Sequence, residues 1–178
     1  MSWFKRVKDG ILTRTEDKME TPDGMWSKCP ECKATTHHRA LEDNHYVCPS
    51  CDYHFRIGSA EYFGVLFGEN PFEVHFAQLL PGDPLEFVDS KNYPDRIQET
   101  IEKTHLPEAI RVGEGMIEDE PVVIACMDFR FIGGSMGSVM GEAIARGIDI
   151  CLEKRIPLIV ISKSGGARMM EGALSLMQ

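Results

Sequence analysis

No stretch of this 178-residue chain approaches the ~20 consecutive apolar residues of a membrane-spanning helix. The first residues lack the continuous apolar core of a secretory signal, and the early acids Asp9, Glu16, Asp17 and Glu20 do not suit a transit peptide. Positive charge is scarce: Lys+Arg 19 stands against Asp+Glu 28, a formal net charge of −9. Such a chain gains no long-range attraction to nucleic acid or to an anionic membrane. Nucleotide loops of the form G-x-x-x-x-G-K-[ST] or G-x-G-x-x-G are missing. No histidine follows His105, so the glycine-rich half lacks the commonest general base. The exception to the acidic balance is the start, where Lys5, Arg6, Lys8 and Arg14 with Trp3, Phe4, Val7, Ile11 and Leu12 suit a short amphipathic arm.

Cysteine is present in an informative pattern. Cys29-x2-Cys32-x15-Cys48-x2-Cys51 places two tight knuckles fifteen residues apart, with Pro30 and Pro49 at the same place in each. Four thiolates complete a tetrahedral zinc shell with Zn–S near ~2.3 Å, leaving no position for a catalytic water. The site is therefore structural, and His37, His38, His45 and His54 have no obligatory part in it. A redox motif would come as a single C-x-x-C at a strand-to-helix junction. Cys126 and Cys151 lie far apart in apolar stretches and read as buried thiols. Together the six cysteines imply a reducing compartment, most simply the cytoplasm.

Zinc ribbons often bind nucleic acid, which makes that a competing reading. Residues 28–56, however, carry four basic residues (Lys28, Lys33, Arg39, Arg56) and four acids (Glu31, Glu42, Asp43, Asp52). Four thiolates on one zinc add negative charge. The module is not basic, so nucleic-acid binding is possible but not favoured.

The pattern divides the chain into an arm and linker (1–25), the ribbon (26–57), a connecting helical segment and linker (58–84) and an α/β region (85–178). Tyr62, Phe63, Leu66 and Phe67 have a helical rhythm that Pro71 interrupts. Beyond residue 84, helix is expected at 95–104, strands at 111–117 and 121–129, a helix over 139–154 and a buried strand at 157–162. The second glycine turn then leads into another helix. The chain ends at Gln178 in that helix, which suggests a fragment or a subunit needing another chain.

Two glycine doublets, Gly133-Gly134 and Gly165-Gly166, follow strands at equivalent places. Backbone amides in such turns can stabilise a developing oxyanion, and the stretch from Ile159 to Arg168 suits that best. A plain strand–helix connection is the alternative. Gly133-Gly134-Ser135-Met136-Gly137 also matches the G-x-S-x-G of serine hydrolases, but that elbow needs a later histidine. Asp128, Glu142 and Glu171 have no evident catalytic partner, so the pattern favours amide over side-chain chemistry.

The ribbon knuckles Trp26-x2-Cys29-Pro30-x-Cys32 and Val47-Cys48-Pro49-x-Cys51, the start Met-Ser-Trp-Phe-Lys-Arg, Phe131-Ile-Gly-Gly-Ser-Met-Gly-Ser-Val139 and Ser164-Gly-Gly-Ala-Arg-Met169 together resemble the β subunits of bacterial-type acetyl-CoA carboxylase carboxyltransferase. The resemblance covers essentially the whole chain. It implies an α/β fold: a small four-cysteine zinc ribbon followed by a truncated crotonase-like (ββα) domain, incomplete at Gln178. It also implies transfer of a carboxyl group from carboxybiotin to acetyl-CoA, forming malonyl-CoA for fatty acid biosynthesis. The implied partners are a carboxyltransferase α subunit in an α2β2 assembly, the biotin carboxyl carrier protein and biotin carboxylase. Carried over, Gly165 and Gly166 supply oxyanion amides, and Gly133, Gly134, Ser135 and Gly137 shape the CoA pocket. Arg168 either meets substrate or anchors the turn. A zinc-ribbon binding module on an inactive α/β remnant is the alternative.

Overall fold

The structure, a computed structural model, describes residues 25–178; the basic arm expected at the start lies outside the described residues. The chain divides between Arg56 and Ile57 into two compact units.

In the first unit, strands β1 (Trp26–Lys28) and β2 (Thr35–His37) pair antiparallel, and α1 (His38–Asp43) follows. His37 opens α1: its Nδ1 accepts the Arg39 N–H at 3.2 Å. His38 lies 3.7 Å from Glu42 on the same helix. Among the described residues, the buried apolar side chains here are Leu41, Cys29 and Cys48. That is too little to form a core.

The second unit is built on a four-stranded sheet of order β3 (Phe72–His75), β4 (Ile110–Ile117), β5 (Glu120–Met127), β6 (Leu158–Ile161). The first three strands are mutually antiparallel, and β6 runs parallel to β5. A parallel neighbour needs a crossover, which α4 (Ser138–Lys154) provides. Strand–strand–helix in this order is the ββα unit that the resemblance implies. Strand periodicity sorts the two faces of β5. Val123, Ala125 and Met127 face Met140, Ala143 and Cys151 of α4, while Val122, Ile124 and Cys126 face Phe63 and Phe67 of α2 (Ser59–Phe67). Burial pushes the Cys126 thiol up to about 12, so it stays a neutral core residue.

Residues 58–84, expected as a connector, contribute α2 over one sheet face and the outer strand β3. The helical stretch ends at Phe67, before Pro71 is reached, with Gly68 at φ +59° as its cap. The four-residue β3 escapes local reading because its partner is distant, with Phe72 opposite Gly115. Helix α3 (Tyr93–Thr104) starts with Pro94 in its first turn and ends at His105, which takes the left-handed conformation. Among the described residues, no helix is long and apolar enough to cross a membrane.

Both α2 and α4 begin on a glycine N-cap, which has no side chain to satisfy the first amides. Distant carboxylates do this instead. Asp128, just after β5, accepts the Ser59 N–H at 2.8 Å and its hydroxyl at 2.9 Å, and Arg130 donates to it through Nε at 2.9 Å. Burial pushes the Asp128 carboxyl up, but the Arg130 and Ser59 donors outweigh this and hold it well below the usual range. Because the folded value is depressed, the stabilisation is present above the ordinary aspartate value of ~3.9 and is lost as pH falls through the folded value. Asp128→Ala is expected to destabilise this unit by roughly 2–3 kcal/mol at pH 7. Urea titrations should show the gap between variant and wild type narrowing towards pH 3.

Candidate functional site

The two cysteine knuckles fold identically. In each, the first cysteine's N–H bonds the carbonyl five residues on (Cys29 to Ala34 and Cys48 to Tyr53, both 2.8 Å). Its carbonyl accepts the N–H four residues on (Lys33 and Asp52, both 3.0 Å). Lys33 and Asp52, at equivalent places, both take positive φ, 63° and 58°. The Cys29–Cys51 and Cys32–Cys48 sulfurs are 3.6 and 3.7 Å apart, and all four lie within 4.8 Å of one another. A tetrahedron with Zn–S of about 2.3 Å has S···S edges of about 3.8 Å, so the donor set fits a zinc ion. Desolvation raises the Cys29 thiol, but the amides of Cys32 and Glu31 bring it to about 7. The Cys51 thiol has the Tyr53 amide in its favour, yet desolvation and the neighbouring sulfurs push it up to about 12. Four crowded thiols cannot all ionise unaided, and a dication removes that conflict.

In the second unit, the glycine turns come from the ends of β5 and β6 and lie side by side. A parallel bridge joins Met136 to Ala167: Met136 N–H donates to Gly166 O and Arg168 N–H to Met136 O, both at 2.8 Å. The approach is close enough to demand glycine. A Cβ on Gly165 would stand 2.7 Å from Gly133 O, and one on Gly134 (φ +67°) would stand 2.6 Å from Lys163 O. The Gly165 N–H has no acceptor among the described residues, and Gly165 is exposed. The Gly166 N–H donates to Ser164 Oγ at 2.9 Å. The helix expected directly after this turn is replaced by a single 3-10 turn, Met169–Glu171, and by the short α5 (Leu174–Met177). Gly165 and Gly166 therefore lie in a loop rather than at the N-terminus of an α-helix.

Beneath both turns lies Arg168, fully buried. Its Nε donates to Ser135 Oγ at 3.1 Å and its Nη2 to Ser135 O at 2.8 Å. Nη1 reaches Glu108 Oε2 at 2.8 Å, Tyr93 Oη at 3.1 Å and Glu171 Oε1 at 3.3 Å, while Nη2 also bonds Glu108 Oε1. All three guanidinium nitrogens have internal acceptors, which of the two expected roles favours the anchor. Burial opposes the Arg168 charge, but Glu108 more than compensates and raises its pKa. Glu171 completes the set, accepting Tyr93 O–H at 2.7 Å and Ser138 N–H at 2.6 Å, so it caps α4. Burial raises its carboxyl; the Ser138 amide and Tyr93 hydroxyl outweigh that and leave it lowered. Tyr93 is pushed well above its ordinary value, chiefly by burial, and stays a neutral phenol.

The serine-hydrolase reading fails on this geometry. Ser135 Oγ is bonded to an arginine, which cannot take its proton. Glu142 pairs with Arg146 at 2.7 Å on the surface of α4, and Asp128 and Glu171 are both engaged as helix caps. Of the expected substrate-binding residues, Gly134, Gly137 and Arg168 are buried, Ser135 is half-buried against Arg168, and Gly133 lines an open cleft of about 770 Å³. Arg96, Lys103, His105 and Arg130 also border that cleft. Among the described residues, the Nε of Arg96 is buried without an acceptor and the exposed Lys103 has no ion-pair partner. Tyr93 and Glu108 escaped sequence reading: they lie 75 and 60 residues from Arg168, and no local motif links them to it.

Comparison with known proteins agrees with this architecture. Residues 26–51 match the family model described as acetyl-CoA carboxylase zinc finger domain, and residues 87–178 match the carboxyl transferase domain. Over all 178 residues the chain is 59% identical to the acetyl-coenzyme A carboxylase carboxyl transferase subunit beta of Pedobacter heparinus, and 54% identical to those of Amoebophilus asiaticus and Chlorobaculum tepidum. It spans 63% of the length of each of these relatives. Among solved structures, a transcarboxylase 12S crystal structure with methylmalonyl-coenzyme A bound aligns at TM-score 0.55 and 24% identity, covering 68% of this chain and 21% of that one. Another, with hydrolysed methylmalonyl-coenzyme A, gives TM-score 0.55 and 22% identity over 79% of this chain and 24% of that one. At that identity the likeness is one of fold, the crotonase-like fold of carboxyltransferases. The carboxyl transferase match covers just over half of the chain, and the chain belongs to that family; with its zinc ribbon it is similar to acetyl-CoA carboxylase β subunits.

Proposed function

We propose that this chain supplies the acyl-CoA half of a carboxyltransferase that moves a carboxyl group from carboxybiotin to acetyl-CoA, forming malonyl-CoA. The carrying observation is the pair of bridged glycine turns, with Gly165 exposed and its N–H without an acceptor among the described residues. Removing a proton from the acetyl methyl group puts negative charge on the thioester oxygen. The Gly165 amide, and the Gly166 amide once the Ser164 hydroxyl turns aside, are the donors for that oxygen. Carboxybiotin, delivered by a biotin carboxyl carrier protein, supplies the carboxyl group and the basic site for the methyl proton. That division of labour fits the described residues, among which Asp128, Glu142 and Glu171 are all engaged elsewhere. An α subunit would supply the biotin half, and biotin carboxylase the charged carrier.

The cleft beside Gly133 is bordered by Arg96, Lys103, His105, Arg130 and one acid, Glu99. Arg96 is paired with Asp89, Arg130 with Asp128 and Glu99 with Lys91, so among the described residues Lys103 is the cation left for a CoA phosphate. Arg168 and Ser135 hold the turns from below.

The test uses the full-length chain with its α subunit, biotinylated carrier and acetyl-CoA, following malonyl-CoA. Gly166→Ala puts a side chain at φ +117° and should lower kcat on the order of 100-fold. Lys103→Glu should act mainly on binding, raising KM for acetyl-CoA by about 5- to 10-fold through charge reversal near the phosphates. A wild-type assembly that makes no malonyl-CoA defeats the proposal.

A further inference from the structure

Catalysis by backbone amides requires that two loops from different strands stay in one register, and a loop backbone cannot secure that alone. We infer that Tyr93, Glu108 and Glu171 are positioning residues that act through Arg168 to lock the two glycine turns together. This rests on the carboxyltransferase reading for its catalytic consequence, though not for its structural one.

Four segments meet at this cluster. Tyr93 comes from the first turn of α3, Glu108 from the loop before β4, Ser135 from the first glycine turn, and Arg168 with Glu171 from the stretch after the second. Apart from Arg168 to Glu171 and the Ala109 N–H to Glu108, every bond crosses from one of these segments to another. Tyr93 Oη is the hub: it accepts from Arg168 and donates to Glu171. Arg168 then grips both the hydroxyl and the carbonyl of Ser135, so the first turn cannot slide against the second without breaking two bonds at once. Glu171 also fixes the start of α4 through the Ser138 N–H.

The charge count supports a geometric role. One buried cation faces two buried carboxylates, and the excess negative charge is met by the Ser138 and Ala109 amides. Buried ionic clusters of this kind add little net stability over a well-packed apolar replacement. What they fix is orientation, since each partner has directional bonds that only one arrangement satisfies. The Gly165 N–H, three residues before the buried Arg168 in the same turn, inherits that orientation.

Tyr93→Phe removes only the hydroxyl, and Glu108→Gln keeps the shape while removing the charge. In this chain, hydrogen exchange read by mass spectrometry should quicken in peptides covering both 133–138 and 164–172 in each variant. Peptides of the ribbon should be unchanged. In the full-length assembly, Tyr93→Phe should lower kcat by about 10- to 100-fold with KM for acetyl-CoA nearly unchanged, as expected for misplaced groups at the reacting centre. If Glu108→Gln does not fold, Tyr93→Phe alone decides. Unchanged exchange in either turn overturns the inference, and so does quickened exchange with full kcat. If the wild-type assembly lacks carboxyltransferase activity, the functional reading falls while the exchange arm still decides the coupling of the turns.

Discussion

Stripping the metal, or changing Cys48 to Ser, is expected to unfold the ribbon while the carboxyl transferase unit keeps its structure. Among the described residues, Leu41 is the one large apolar side chain buried in the ribbon, worth about 2–3 kcal/mol. Ordering the backbone costs about 1–2 kcal/mol per residue, far more than that burial returns across residues 26–51. Three-residue strands and a six-residue helix add no independent stability. A structural zinc contributes about 10–16 kcal/mol in comparable modules, and the 3.6 and 3.7 Å sulfur edges show that the thiols already stand where such an ion holds them. Chelation should therefore collapse the amide dispersion of residues 26–56 in an NMR spectrum and leave that of 57–178. One zinc per chain should be released, and Cys151→Ala should leave it bound. Retained ribbon dispersion after complete metal removal would show that something other than zinc holds the module.

The zinc site was legible in the sequence because its determinants are local: two short knuckles with their prolines, each closed by bonds over four and five residues. The long elements were legible for a similar reason. Helix α4 repeats its buried Met140, Ala143, Gly147 and Cys151 at helical spacing, and β5 is apolar on both faces because both are covered. Strand β3 was not legible, since four residues after a proline become a strand only through pairing with β4 some forty residues on. Nor was the polar cluster: a tyrosine opening α3 and a glutamate before β4 carry no signature until the fold brings them to Arg168. Arg168 itself was placed in the right turn, but whether it faces substrate or interior depends on Glu108, which no spacing rule connects to it.

Arg168→Met is the other change with a large expected effect, costing roughly 3–5 kcal/mol at pH 7 by leaving buried carboxylates without their counter-charge. A domain's whole stability is about 5–15 kcal/mol, so the variant should be near the edge of folding. Arg168→Lys should rescue little, because one ammonium cannot reach Ser135, Glu108 and Tyr93 from a planar fork's positions. The pH dependence carries the sign. In the wild type, Glu171 has a lowered folded value, so its contribution is present above the ordinary glutamate value of ~4.3 and fades as pH falls through the folded value. In the variant a proton must replace the guanidinium, so acidification helps where it harmed. The stability gap in denaturant titrations should therefore be widest at neutral pH and narrow towards pH 4. Glu108→Gln combined with Arg168→Met should recover part of the loss, since one uncompensated carboxylate is gone, giving a strongly non-additive cycle. Additive single and double variants, or a gap that does not change with pH, would mean that Arg168 stabilises through packing alone, and that the charge between the two turns is not what holds them.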